Sequence, residues 1–298
     1  MDNELLLIDR IGVIRDTIKD YGEKNFFLSL SGGKDSTALH YLLDLAIPGN
    51  KIPRVFINTG IEYLAIVDFV KELARDDERI VIVKPSKNIK EVLETYGYPF
   101  KSKEHAKKVS QYQSMHHLTP YLERYLDGIG RPTKYTCPSI LKYQFTDDCS
   151  LKISHLCCDR LKKAPAHNWM KENNKTITIT GMRGEEGGAR AQQGCIITDK
   201  NGKLYKFHPL IKVDEQWVDW FIDSNKIKLC KLYYEPYNFK RTGCKGCPFA
   251  LTLQEQLETM EKYLPAERKQ CEYIWKPVYE EYRRLGYRLK KDEQLKLF

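Results

Sequence analysis

No stretch of this 298-residue chain stays apolar for the ~18–20 residues that a membrane-spanning helix needs. The N-terminal "MDNELLLIDRIGVIRD" lacks the basic, then apolar, then small-residue order of a secretory signal, because charges interrupt its Leu and Ile. These two absences predict a cytoplasmic protein with no membrane partner. The nine cysteines are odd in number and come without a secretory signal, which argues against a disulfide scaffold. There is no internal repeat and no low-complexity linker, so solenoids and strings of small domains are excluded. The spacing GxxxxGK(S/T) is missing as well, which removes the phosphate loop of β,γ-cleaving ATPases.

The composition, 42% apolar and 30% charged, is that of an ordinary globular protein. A net charge of +9 suits a protein that handles anions, and it does not choose between a nucleotide and a nucleic acid. The lysine-rich runs Lys101 to Lys108 and Arg288 to Asp292 read as solvated helix faces. Short β-branched and apolar runs at Asn25 to Ser31, Arg54 to Gly60 and Arg79 to Lys84 alternate with helix-like segments. That alternation predicts βαβ units and a parallel sheet. Residues 100–175 read as a polar, interrupted helical insertion. Lys175 to Glu186, "CIIT" and "LYKFHPL" add strand-like segments, "DEQWVDWFIDSNKI" a helix, and the last fifty residues two helices.

The string Ser31-Gly32-Gly33-Lys34-Asp35-Ser36 lies between the first strand and its helix. Two glycines let the main chain approach a ligand closely, and the new helix offers unpaired N–H groups at its positive end. Lys34 adds a cation, and Ser31 and Ser36 add hydroxyls. Together they suit phosphate or pyrophosphate. "SGGKDS" resembles the signature of the PP-loop ATP pyrophosphatases, which cleave ATP between the α and β phosphates. The resemblance implies a doubly wound α/β fold, adenine nucleotide alpha hydrolase-like. It also implies that the loop amides, Ser31, Lys34 and Ser36 hold pyrophosphate, and that Asp35 fixes the loop or helps to hold Mg²⁺. The adenine edge is then expected near the end of strand two, around Phe56, Asn58, Thr59 and Gly60, where open α/β sheets bind ligands.

Cys157 and Cys158 are adjacent, and Cys244 and Cys247 form a CxxC. Four thiolates can bind zinc or an iron–sulfur cluster. An adjacent pair fits one small tetrahedral ion poorly and a cluster better, since each sulfur can take a different iron. "CCDRLKKAP" followed far downstream by "RTGCKGCPF" resembles the cluster-binding pattern of adenylyl-sulfate reductases. These belong to the phosphoadenosine phosphosulfate (PAPS) reductase family, which shares the PP-loop fold. "TGMRGEEGGARAQQ" and "KFHPL" extend the resemblance over about residues 29 to 250. It implies a nucleotide-binding domain over 1–250 carrying the helical insertion, and a C-terminal helical extension over 251–298. It further implies a [4Fe-4S] cluster on Cys157, Cys158, Cys244 and Cys247, with Lys162 and Lys163 beside it. Arg183 and Arg190 then contact substrate phosphate or sulfate and join Lys34 and Asp35 as catalytic residues.

Two departures from the reductases point toward ATP. Those enzymes carry a nucleophilic cysteine in a Glu-Cys-Gly-x-His tail, whereas this chain ends "DEQLKLF", and their phosphate loops are degraded, whereas this one is intact. Cys271 falls in a helical pattern with Ile274, Trp275, Val278 and Tyr282 and reads as packing. The expectation is an ATP-dependent adenylating enzyme for sulfur transfer, resembling DNA phosphorothioation and tRNA thiolation enzymes. Its partners are ATP with Mg²⁺, a sulfur donor or reductant, and a substrate that could be a nucleic acid, given the clustered tyrosines. The alternatives are a sulfonucleotide reductase using Cys137 or Cys195, with Cys137 at a helix start where its pKa would fall, and a non-catalytic nucleotide-binding cluster protein.

Overall fold

The first strand is apolar at all but one position, and both of its faces are covered. Strand β1 (Phe26–Leu30) sends Phe26 and Leu28 into one buried cluster and Phe27 into another, as the period of two requires. The computed structural model describes residues 2–128, 135–186 and 192–291. The other strands are β2 (Arg54–Ile57), β3 (Ile80–Val83), β4 (Ile177–Ile179), β5 (Ile196–Thr198) and β6 (Leu204–Phe207). The helices are α1 (Asn3–Tyr21), α2 (Lys34–Ala46), α3 (Leu64–Asp76), α4 (Ile89–Tyr96), α5 (Lys103–Met115) and α6 (Pro120–Asp127). They continue with α7 (Ala164–Glu172), α8 (Glu215–Ser224), α9 (Leu253–Tyr263), α10 (Pro265–Ile274) and α11 (Lys276–Leu285).

The strands form one sheet in the order β3-β2-β1-β4-β6-β5. All neighbours are parallel except β5 and β6. The expected α/β class with a mainly parallel sheet therefore holds. The chain runs outward from β1 through β2 to β3, then returns to β4 on the other side of β1. The carboxyl ends of β1 and β4 thus flank the point where strand order reverses, which is where open α/β sheets hold ligands.

Two compact units divide the chain: residues 1–85 with 164–243, and residues 86–163 with 244–298. The first contains the sheet. Helices α1, α2 and α8 cover one face through Ile14, Leu39, Leu42, Trp217 and Phe221. On the other face Trp169 of α7 packs on Phe27 and Val55. The second contains most of the helical segment expected over 100–175 together with the C-terminal helices, while α7 stays with the sheet.

Three C-terminal helices replace the expected two. Pro265 opens α10, and Pro277 stands in the first turn of α11. A proline has no N–H to continue the preceding helix and its ring clashes with that helix's carbonyl, so each one ends a helix and starts another. The apolar stripe survives the break. Cys271, Trp275, Val278 and Tyr282 are all buried, and Cys271 packs as expected.

Candidate functional site

At the carboxyl end of β1 the chain turns through Ser31, Gly32 and Gly33 into α2. Gly32 has φ +70°, and a Cβ there would lie 2.9 Å from Ile66 and 3.0 Å from Val70. Both the left-handed backbone and the close approach call for glycine. Gly33 caps α2 with extended backbone and no side-chain bond. The turn is braced from within: Ser31 Oγ and Ser36 Oγ are 2.9 Å apart, Ser36 Oγ donates to the Gly33 carbonyl, and Ser31 Oγ accepts from the Gly33 amide. The Lys34 amide donates to the Tyr233 hydroxyl at 2.9 Å, and Tyr233 in turn pairs with Thr242 at 2.6 Å.

Asp35 and Lys34 point to different partners. Arg183 Nε donates to Asp35 Oδ1 at 2.8 Å, and Arg183 is only 4% exposed. The same guanidinium bonds Glu185 at 2.7 Å, so Arg183 is a buried bridge. Burial alone would lower its pKa; Asp35 and Glu215 raise it on balance. Gly181, just past β4, makes this arrangement possible. A Cβ there would stand 2.9 Å from the carbonyl carbon and oxygen of Asp35 and 3.1 Å from the Ser36 nitrogen. Lys34 Nζ donates to Glu215 and Asp219 of α8, both at 2.8 Å. Burial works to lower the Lys34 pKa, and these carboxylates more than offset it and raise it. In this state the Lys34 charge is committed to two acids.

Past β2, Asn58 accepts from the Gly60 amide, and Thr59 gives both its amide and its hydroxyl to buried Glu62. Of the four residues expected at the adenine edge, Asn58, Thr59 and Gly60 thus form one tight turn held by Glu62, while Phe56 is buried within β2. Glu62, Gly181, Glu215, Asp219 and Tyr233 escape sequence reasoning, because no short motif links them to the glycine turn. The downstream carboxylates of α8 four residues apart are the one local signal, since such residues share a helix face.

In the second unit Cys157, Cys158, Cys244 and Cys247 lie near one another, and the other three sulfurs act on Cys157. The Cys157 proton is held by a hydrogen bond to Cys158, then by burial and the three neighbouring sulfurs. Cys158 is driven the opposite way, first by that bond, with Lys103 and Lys162 assisting. Burial pushes Cys247 up to about 12, with Cys244 the next cause. Gly246, at φ +59°, is the glycine the loop requires. A Cβ there would meet the Tyr279 hydroxyl at 2.4 Å and Cys271 Sγ at 2.8 Å, whereas at Gly243 it would meet nothing within 4 Å. Only one of the two loop glycines is therefore there for space.

The expectation of an activated Cys137 is overturned. Pro138 rather than Cys137 caps the 3-10 helix Ser139–Phe145, and burial pushes the Cys137 thiol up to about 11. Burial also raises Cys195. Thiolates rather than thiols are nucleophilic, so neither sulfur is poised to attack. Arg190 lies outside the described residues. His40, Asp44 and Asp77 approach one another within 4.8 Å, but Arg54 and Arg79 bind Asp44 at 2.7 Å and Arg79 binds Asp77 at 2.7 Å. Those carboxylates already neutralise two guanidinium groups, one of them fully buried, so the trio is a structural ion network. No described helix is long and apolar enough to cross a membrane.

The family model for the phosphoadenosine phosphosulfate reductase domain matches residues 25–136 and 133–250. An uncharacterized protein of Methanocaldococcus jannaschii is 33% identical over 130 residues, 40% of this chain and 30% of that protein. Phosphoadenosine phosphosulfate reductase of Saccharomyces cerevisiae is 34% identical over 77 residues, 26% of each chain. The chain thus spans less than a third of the length of these curated relatives. Among solved structures, a phosphoadenylyl-sulfate reductase from Candida auris, in a phosphate complex, has a TM-score of 0.43 at 16% identity, covering 78% of this chain and 93% of that one. The U34-tRNA thiolase NcsA of Methanococcus maripaludis with its [4Fe-4S] cluster has a TM-score of 0.40 at 16% identity, covering 93% and 80%. Since the family match runs from β1 through the glycine turn to the CxxC loop, the chain belongs to the phosphoadenosine phosphosulfate reductase domain family.

Proposed function

We propose that this protein is an ATP-using enzyme that adenylates a substrate, releases pyrophosphate and serves sulfur transfer, with a [4Fe-4S] cluster on Cys157, Cys158, Cys244 and Cys247. The observation that carries the reading is the complete Ser-Gly-Gly-Lys-Asp-Ser turn at the strand-order reversal, with Asp35 held by Arg183 at 2.8 Å. A lone pair on a substrate oxygen forms a bond to the α-phosphorus. The bond from that phosphorus to the bridging oxygen breaks, and its electron pair leaves with pyrophosphate. A sulfur nucleophile from a donor then displaces AMP from the activated carbon. The helix N-terminus, Ser31 and Ser36 meet the phosphate charge where it develops, in a preformed geometry. Asp35, oriented by Arg183, is placed to hold Mg²⁺. Lys34 joins the pyrophosphate by exchanging Glu215 and Asp219 for it. The turn at Asn58, Thr59 and Gly60 takes the adenine edge.

The donor set fits the proposed cluster. Four thiolates on one zinc ion would stand about 3.8 Å apart, from Zn–S bonds of about 2.3 Å. Among the described residues, by contrast, no three of these sulfurs gather within 4.8 Å. A bound cluster would supply sulfur ligation or electron transfer. The cysteines and the nearby Lys103 and Lys162 would hold it and balance its negative charge. A second reading, sulfonucleotide reduction to sulfite, draws on family membership. It needs a reactive thiolate, and burial raises both Cys137 and Cys195.

The test is anaerobic purification with iron, sulfide and zinc assays, followed by pyrophosphate release from ATP, with and without RNA or DNA as acceptor. About four irons and four sulfides per chain, with pyrophosphate release abolished by Asp35→Ala, support the proposal. Iron with no pyrophosphate release, but with conversion of adenylyl sulfate to sulfite, supports the reductase. Nucleotide binding with neither reaction leaves a non-catalytic cluster protein.

A further inference from the structure

Every carbonyl of the segment from Cys244 to Ala250 has a donor, and most of the donors are side chains from the C-terminal residues 275–288. Trp275 Nε1 donates to the Lys245 carbonyl at 3.1 Å, and Tyr282 Oη donates to the Pro248 carbonyl at 2.9 Å. Tyr279 Oη donates to the Gly246 carbonyl. Arg288 reaches the carbonyls of Phe249, at 3.0 Å, and Ala250, and extends to that of Lys101 at 2.6 Å. The loop's own amides serve the last two, Cys247 N to Cys244 O and Ala250 N to Cys247 O. Trp275, Tyr279 and Tyr282 are at most 1% exposed, so water does not compete for these bonds.

We infer that Trp275, Tyr279, Tyr282 and Arg288 form a carbonyl clamp that tunes the cluster. Side chains from residues 275–288 take the negative ends of the loop's peptide dipoles and so keep those carbonyls from turning toward the sulfur ligands. A carbonyl turned toward a thiolate repels it, whereas an amide stabilises the added electron of the reduced state. Hydrogen bonds to the sulfurs are among the levers that set a cluster's potential and its retention. The four are positioning residues: none is a ligand, and each acts through a peptide carbonyl next to or near the two CxxC cysteines. This inference rests on the cluster reading above.

The experiment compares wild type, Tyr279→Phe, Arg288→Gln and the control Tyr143→Phe after anaerobic reconstitution. Tyr143 also spends its hydroxyl inside the second unit, on Glu281 and away from the CxxC loop. The readouts are iron and sulfide per chain, the rate at which a chelator bleaches the visible cluster absorption, and the reduction potential by redox titration. Tyr279→Phe is expected to load iron, to lose it about 10-fold faster than wild type and to titrate at a lower potential. Arg288→Gln should move the same way, and Tyr143→Phe should behave as wild type. Should Tyr279→Phe fail to fold, Arg288→Gln carries the comparison. Unchanged loss rates and potentials in folded, iron-loaded clamp variants overturn the clamp while leaving the cluster standing. Equal acceleration in Tyr143→Phe overturns it as a general stability effect. Zinc in place of iron in the wild type overturns the cluster reading and the clamp with it.

Discussion

Arg183 donates to Asp35 across 2.8 Å, tying the segment that follows β4 to the first turn of α2. The pair spans 148 positions of sequence and joins the two strand ends between which a ligand would sit. Removing one partner of a buried pair leaves the other charge uncompensated, which costs about 3–5 kcal/mol in the buried limit; Asp35 is partly exposed, so less applies here. Arg183→Ala is expected to lower pyrophosphate release about 100-fold, with iron content unchanged. Asp35→Asn should do nearly the same, and the double variant should be little worse than either single one. Steady-state pyrophosphate assays decide. Additive losses would mean that the two residues act separately.

Lys34 begins its work neutralised by Glu215 and Asp219. On the proposed ATP-using reading, pyrophosphate would have to displace these acids from the ammonium. Asp219→Asn is expected to lower the KM for ATP several-fold, and Lys34→Ala to raise it about 10-fold, roughly the 1.4 kcal/mol of one charged hydrogen bond. A KM that is indifferent to both substitutions would place Lys34 outside the nucleotide site.

Gly181 has no room for a methyl group. Gly181→Ala would press a carbon against the backbone of Asp35 and Ser36 at 2.9–3.1 Å, so the glycine turn itself must shift. The expected result is a loss of about 1–3 kcal/mol of stability and a larger fractional loss of ATP turnover. Thermal unfolding and pyrophosphate release on one preparation test it. Full activity in Gly181→Ala would show that the loop tolerates displacement.

Acid should weaken the fold before it titrates most carboxylates. Burial lowers His40, His105 and His208 to about 4, while the unfolded value is about 6.5. Between those values the unfolded chain binds more protons than the folded one. The stability contributed by neutral histidine is therefore present above about pH 6.5 and is lost as the pH falls toward 4, by at most about 3 kcal/mol per residue. His105 is the cleanest case, bonded to Tyr125 at 2.8 Å and Gln144 at 2.7 Å. The unfolding midpoint should fall between about pH 7 and pH 5, and less steeply in His105→Gln. An identical slope in that variant would assign the acid sensitivity elsewhere.

Cysteine substitutions should separate ligands from packing. Serine at Cys157, Cys158, Cys244 or Cys247 is expected to cut bound iron sharply, because a metal–thiolate bond is lost. Cys271→Ala should keep its iron and lose about 1 kcal/mol of stability through the small cavity left beneath Gly246. Iron assays and thermal melts distinguish the two outcomes. Loss of iron from Cys271→Ala alone would reassign the ligands.

Much of the first unit is legible from local pattern. The continuous apolar run Phe26, Phe27, Leu28 marks a strand buried on both faces, and the three early strands lie within three residues of where the sequence puts them. The C-terminal helices are less legible. The apolar stripe from Cys271 to Tyr282 reads as one helix because burial continues across Trp275, while Pro277 breaks the hydrogen-bond ladder inside it. Cys137 misleads for a related reason. "TCPS" resembles a helix start, but the pKa of a thiol depends on what surrounds it, and neighbouring segments bury this one.

By itself the sequence determined the sheet class, the glycine turn between β1 and α2, and the motifs that carry the resemblance to the family. The first two follow from backbone sterics and short-range periodicity, and the last from the motif strings themselves. Only the tertiary structure decided that Arg183 meets Asp35, that Lys34 faces two acids of α8, that Gly181 must be small, and that Trp275, Tyr279, Tyr282 and Arg288 hold the CxxC carbonyls. Those relationships join segments 30 to 185 positions apart. Loop closure brings such segments together only once the sheet order and the helical layers are set, and their charges and hydrogen bonds are chosen by that geometry.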